Sequence, residues 1–144
     1  MPHPDDLANL ETEISVLVRK IRRAMADKAH ELHPDLTALG YSMMVLIQMT
    51  GAQRASQIVD SFAVDKGAVS RQVQTLVDFG LVHRMPDPND GRAALLDLTT
   101  EGRRRLAEVT DRRREMVADR LQDWSREDLG DFVAMLARYN KSLG

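Results

Sequence analysis

The periodicity of this chain changes once, and that change limits its fold more than any other feature. Before residue 81 and after residue 98, apolar residues recur every three or four positions, the spacing of helices that bury one face. Between them, Leu81-Val82-His83-Arg84-Met85 reads as a short strand. Pro86-Asp87-Pro88-Asn89-Asp90-Gly91 is a concentrated turn signal. Leu96 and Leu98 alternate with Leu95 and Asp97 in a second strand. A strand, a polar turn and a strand make one β-hairpin inside an otherwise helical chain.

The helices on either side can be bounded from their punctuation. The first runs from about Leu7 to Leu32 and carries Leu7, Leu10, Ile14, Leu17, Ile21 and Ala24 in a heptad-like seam that can pack within the chain or against a second copy. Pro34 stops it. Thr37 is a natural N-cap for a helix over Ala38–Thr50, which buries Leu39, Met43, Leu46 and Ile47 and ends at Gly51. A helix of barely two turns follows over Ser56–Phe62, with Ser56 as its cap. The connection Ala63-Val64-Asp65 leads into a helix from Lys66 to Phe79, capped by Asp65 and closed by Gly80. After the hairpin, a helix from Thr100 to about Trp124 shows Leu106, Val109, Met116, Val117 and Leu121 on one side. Ser125-Arg126-Glu127-Asp128 resembles a capping box that opens the last helix.

Composition removes several function classes. At 144 residues, the chain fits one domain or one domain with a helical appendage. With no cysteine it holds no disulfide, thiolate zinc site or iron–sulfur cluster. The longest apolar run, Met43–Ile47, is far too short for a membrane span, so no membrane partner is expected. The N-terminus lacks a basic and then hydrophobic leader pattern, which points to the cytoplasm. His30, Glu31 and His33 lie close together, but Pro34 directly after His33 argues against a shared helical face, and no metal site is expected. No nucleophile arrangement or Gly-rich phosphate loop is present, so neither catalytic residues nor a cofactor are expected. The Arg103–Arg105 and Arg112–Arg114 runs are interrupted by Glu108, Asp111 and Glu115 and read as a solvated helix laced with ion pairs.

Two short helices, a three-residue turn and then a hairpin form a winged helix-turn-helix. On its second helix Val69, Val73, Leu76 and Val77 face the core. Gly67, Ser70, Arg71, Gln74 and Thr75 fall outside. Arg71 can donate two hydrogen bonds to guanine, and Gln74 can pair with adenine. Gly67 allows close approach to a phosphate backbone, and Lys66 at the helix N-terminus favours a phosphate. Asp90, two residues before Arg92, can pair with its guanidinium and extend it towards a minor groove. The same groups also compose an ordinary solvated face and a surface ion pair. The net charge is −2, and residues 51–100 carry five bases against six acids, so bulk charge favours a protein-interaction module or ligand carrier as the alternative to a DNA binder.

Gly80-Leu81-Val82-His83-Arg84, Asp90-Gly91-Arg92 and Leu98-Thr99-Thr100-Glu101-Gly102, with Ser70 through Leu76 upstream, resemble the signature of the multiple antibiotic resistance regulator (MarR) family. The resemblance extends from the first helix through the last. The chain departs from it at Gly91, where members commonly carry Arg. The resemblance implies a mainly α fold with a small β-hairpin wing. Its winged helix-turn-helix domain, residues 35–100, would be flanked by dimerisation helices over 1–34 and 101–144. It implies a homodimeric transcriptional regulator, a repressor that binds a pseudo-palindrome in double-stranded DNA. Ser70, Arg71 and Gln74 would meet bases, and Ser56, Gln57 and Lys66 would meet phosphates. Arg84 would support the wing, and Asp90 would fix Arg92 in the minor groove. A small anionic aromatic effector would release the DNA from a site including His33, Tyr41, Met44 and Val45.

Overall fold

A computed structural model describes residues 1–144. In chain order it contains α1 (Pro4–Leu32), α2 (Ala38–Thr50), β1 (Gln53–Arg54), α3 (Ala55–Phe62), α4 (Lys66–Asp78), β2 (Val82–Asp87), β3 (Asp90–Leu98), α5 (Thr100–Arg120) and α6 (Arg126–Ser142). The expected class holds: the chain is mainly helical with a small antiparallel sheet and the winged helix-turn-helix order of elements.

Several boundaries differ from the sequence reading, each for a local reason. α1 starts at Pro4 because His3 Nδ1 accepts the Asp5 N–H and Pro4 suits the first helical position. Ser56 is not the cap of α3. Arg54 holds the N-cap position, and Gln57 Oε1 accepts its backbone N–H at 2.8 Å, so the helix begins one residue earlier. The hairpin is also longer and tighter than expected, with Asp87 pairing Asp90 across Pro88-Asn89. Pro86 is tolerated because β2 is an edge strand in the order β1-β3-β2. β1 was not foreseen; Gln53 pairs Leu96 and Arg54 pairs Leu95. α5 ends at Arg120 rather than Trp124. The last helix opens as expected, Ser125 Oγ accepting the Asp128 N–H and the Asp128 carboxylate accepting the Ser125 N–H.

The chain divides into two compact units, residues 1–109 and 110–144. The first has a core that includes Leu36, Tyr41, Met43, Met44, Ile47 and Ile58, with Val69, Val73 and Leu76 contributed by α4. A close joint lies where α4, β2 and α5 meet. Gly80, at φ +71°, ends α4 in a left-handed turn that sends the Gly80 N–H to Val77 O and the Leu81 N–H to Leu76 O. Thr99 Oγ1 donates to Gly80 O at 2.6 Å and accepts the Gly102 N–H at 3.0 Å. A methyl group at Gly102 would lie 2.1 Å from the Leu81 carbonyl oxygen, so only glycine fits there.

The arginines of the first basic run are engaged. Arg103 pairs Asp97, and Arg104 pairs Glu101 and Glu108. Arg105 pairs Glu101 and donates to Leu32 O at the end of α1. α1 buries only Ala29 and Leu32, whereas its seam residues Leu7, Leu10, Leu17 and Ile21 are exposed. In the second unit no residue is buried. Met116, Val117, Phe132, Val133 and Leu136 are all exposed, and Trp124 meets Phe132 edge to face at 5.7 Å. No helix is long and apolar enough to cross a membrane.

Candidate nucleic-acid interface

The reading face is built from α4 outward. α3 ends at Ala63 in the left-handed region (φ 49°, ψ 40°), which turns the chain sharply into α4. Asp65 then caps α4 by accepting the Ala68 N–H at 3.2 Å. Burying Val69, Val73 and Leu76 fixes the rotation of the helix and leaves Ser70, Arg71 and Gln74 exposed. Thr37 Oγ1 donates to Gln72 Oε1 at 2.8 Å and so links α4 to the start of α2. Gly67 has a local reason to be small. A Cβ there would lie 2.8 Å from Asp65 Oδ2 and 3.3 Å from Arg71 Nη1.

A cleft of about 450 Å³ opens between the start of α3, α4 and the wing. Arg54, Ser56, Lys66, Ser70 and Arg84 supply its polar lining, with Ala93, Ala94 and Leu96 on the wing side. Four residues singled out from the sequence thus share one cleft: Ser56, Lys66, Ser70 and Arg84. Lys66, Arg71, Arg84 and Arg92 form no ion pair, which leaves four unmatched charges for a polyanion; of these, Arg84 is tied by a hydrogen bond to the neutral Gln74 side chain.

Gln74 is already engaged. Its Oε1 accepts from Arg84 Nη2 at 3.1 Å, and its Nε2 donates to Asp78 Oδ1 at 2.7 Å. Arg84 therefore braces strand β2 against α4. Gln57 spends its side-chain oxygen on the α3 N-terminus, so only its amide nitrogen is left for a phosphate.

Wing geometry corrects one expectation and adds a contact the sequence did not reveal. Asp90 Oδ1 accepts the backbone N–H of Arg92 at 3.0 Å rather than binding its guanidinium, so it shapes the turn and leaves the cation free. Pro86 pairs Ala94 while Asp87 pairs Asp90, which leaves Gly91, Arg92 and Ala93 without counterparts on β2. Beside this break, Asp87 is only 6% exposed. Its Oδ2 accepts from Arg54 Nε at 2.6 Å and pairs with Nη2, and its Oδ1 accepts the Asn89 N–H at 2.8 Å. The Asn89 N–H first, and the Arg54 guanidinium second, hold this carboxyl below the usual carboxylate range. No local pattern could announce a pair 33 residues apart.

The MarR family profile matches residues 36–94. The chain is 31% identical over 103 residues to the multiple antibiotic resistance protein MarR of Escherichia coli K12, covering 71% of this chain and 69% of that one. The chain belongs to the MarR family. It is also 27% identical over 142 residues to YxaD, an uncharacterised HTH-type transcriptional regulator of Bacillus subtilis 168, covering 99% of this chain and 98% of that one. The fold matches the crystal structure of RV1404 from Mycobacterium tuberculosis (TM-score 0.77, 21% identity, 100% of this chain and 97% of that one). It also matches apo MarR from E. coli (TM-score 0.73, 23% identity, 90% and 96%). The protein is accordingly a helix-turn-helix transcriptional regulator of the MarR family rather than an enzyme.

Within this MarR fold, the signature residues Gly80, Thr99 and Gly102 make the joint that seats the wing on α4. The four expected effector residues differ in exposure. Tyr41 and Met44 are buried at 1% and 0% exposure, within the core of the first unit. Val45 is half-buried. His33 stacks on Phe79 with ring centroids 3.8 Å apart, and its Nδ1 accepts the Asp35 N–H.

Proposed function

We propose that this MarR-family regulator represses transcription as a homodimer that binds a pseudo-palindromic duplex and is released by a small anionic aromatic effector. The observation that carries the DNA contact is the cleft between α4 and the wing, lined by Lys66, Ser70 and Arg84, with the unpaired Arg71 and Arg92 next in sequence to its lining residues Ser70 and Ala93. In this reading Ser70, Arg71 and Gln74 meet base edges, Ser56, Gln57, Lys66 and the backbone at Gly67 meet phosphates, and Arg92 enters the minor groove. Arg84 and Asp90 shape the surface that presents them.

Dimerisation assigns residues 1–34 and 101–144 to the interface and 35–100 to the reading head. The support is the exposed apolar stripe of α1 and the exposed Phe132, Val133 and Leu136 of α6. Apolar patches of this kind mark surfaces that another chain covers. Two-fold symmetry then sets the half-sites about one helical turn apart. Effector release rests on the family resemblance, with His33, Tyr41, Met44 and Val45 as its positions. Such a regulator works in the cytoplasm, where the DNA is.

Selection of bound fragments from genomic DNA tests the proposal, starting with those upstream of the protein's own gene. Light scattering on the same sample should give twice the 16.2 kDa chain mass. A monomer, or a dimer that enriches no sequence, would favour the protein-interaction module, for which the balance of five bases against six acids in residues 51–100 speaks.

A further inference from the structure

Asp87 is the one buried charged residue of the chain, and reading the DNA gives it no part. Burying a carboxylate is costly unless its oxygens are paired. Here they are: Arg54 presents two guanidinium nitrogens to one oxygen, and Asn89 presents its backbone N–H to the other. Arg54 closes β1 and stands at the start of α3, whereas Asp87 ends β2. β1 and β2 are not neighbours, because β3 lies between them. The pair therefore spans the sheet across its central strand. It does so where the β2–β3 ladder breaks register and leaves Gly91, Arg92 and Ala93 unmatched. At that level ladder bonds are missing, and the ion pair takes their place. Because Asp87 also neutralises Arg54 in the cleft wall, the pair adds no net charge to the surface.

We propose that Arg54 and Asp87 are positioning residues: their pair clamps the wing tip to the start of α3 and so sets the separation between Lys66 and Arg92. The clamp stands on the contacts above, and only its consequence for binding rests on the DNA reading. The fork matters as well as the charge, since lysine cannot present two coplanar donors.

The test uses full-length Asp87→Asn and Arg54→Gln proteins, with two readouts. The first needs no DNA. Amide hydrogen exchange at Asn89 through Ala94 should speed up by about tenfold or more, while α4 keeps its protection. The second uses the duplex recovered by the wild type in genomic selection. Each variant should bind about tenfold more weakly, with a shallower salt dependence, and the loss should vanish on an Arg92→Ala background. Arg54→Lys should restore little. Should Asp87→Asn fail to fold, Arg54→Gln carries the same test, because the Arg54 side chain is 38% exposed. Unchanged exchange in the wing overturns the clamp whatever the DNA result. A loosened wing with unchanged binding, or a loss that persists without Arg92, overturns the positioning role. Tighter binding by Asp87→Asn would mean that Asp87 only masks the Arg54 charge. If the wild type selects no duplex, the DNA reading fails and the positioning role goes with it, while the exchange data still decide the clamp.

Discussion

Gly102→Ala sets two known effects against each other, and the structure decides the sign. Alanine is the better helix former, and the swap inside a helix ordinarily gains about 0.5–1 kcal/mol. At Gly102 the new methyl would lie 2.1 Å from Leu81 O and 3.0 Å from Leu81 C. The obstacle is backbone, so no rotamer change relieves it, and α5 or the β2 entry must move by about 1 Å to reach ordinary contact distance. Overpacking of this kind costs about 1–3 kcal/mol. The shift also strains the Thr99 N–H to Leu81 O bond and the Thr99 hydroxyl bonds to Gly80 and Gly102. Losing one of these adds about 1 kcal/mol. The net expectation is a loss of about 2–3 kcal/mol, or roughly 6–12 °C in Tm at this chain length. Urea and thermal unfolding followed by circular dichroism would measure it. Gly130 in α6 is the control: an added methyl there meets nothing within 4 Å, and alanine should gain up to about 1 kcal/mol. An unchanged or raised stability for Gly102→Ala would refute the claim that this joint is closed by backbone contact.

Other perturbations separate the roles at the reading face. Arg71→Ala should relax preference at one base position by about 1–3 kcal/mol in gel-shift titrations; equal losses on matched and mismatched sites would reduce Arg71 to a phosphate contact. Arg92→Ala should weaken binding to all sequences and lower the salt slope by about one per reading head, and an unchanged slope would remove the wing from the interface. Asp78→Ala should free the Gln74 amide from its 2.7 Å bond and tighten binding about fivefold, an effect absent on a Gln74→Ala background. Hydrogen bonds from Arg104 and Arg105 lower the Glu101 carboxyl from 4.5 to about 2. Because the folded value is the lower one, its stabilisation is complete above the unfolded value near 4.5 and is lost as pH falls towards 2. Tm measured from pH 6 to pH 2 should therefore fall less steeply in Glu101→Gln.

Local grammar made most of the fold legible. Thr37, Asp65 and the Ser125–Asp128 box mark helix starts, and Gly51 and Gly80 mark ends; all of them act within five residues along the chain. The rotation of α4 followed from Val69, Val73, Leu76 and Val77, of which the first three are buried and Val77 is half-buried. Other features are not local. β1 is two residues long, too short for any period, and exists because β3 offers it a partner. The surroundings of Tyr41 and Met44 were not legible for another reason. α2 is apolar nearly all round, so its pattern does not say which side meets the core and which a cavity. Asp87 and Asp90 look alike inside one polar turn. Only the register break and the arrival of Arg54 bury the first and leave the second at the surface.

The charge of the winged segment looks wrong for a DNA binder until its cations are sorted by what they already hold. Arg54 is neutralised by Asp87, Arg84 keeps its charge but is tied to the neutral Gln74 side chain, and Arg103, Arg104 and Arg105 are matched to acids on their own helix or on β3. Lys66, Arg71 and Arg92 remain both unpaired and untied. In the proposed dimer these three per head give six; at about 0.9 released counterions each, the log–log salt slope should be about −5, or about −7 if Arg84 also meets a phosphate. That is modest, so non-specific binding is weak, and whatever affinity the protein has for its operator must come from fit. Fit in turn depends on the groups that hold the surface in shape: the Gly102 joint, the Arg84 brace and the Arg54–Asp87 pair, which decide where Lys66, Arg71 and Arg92 stand.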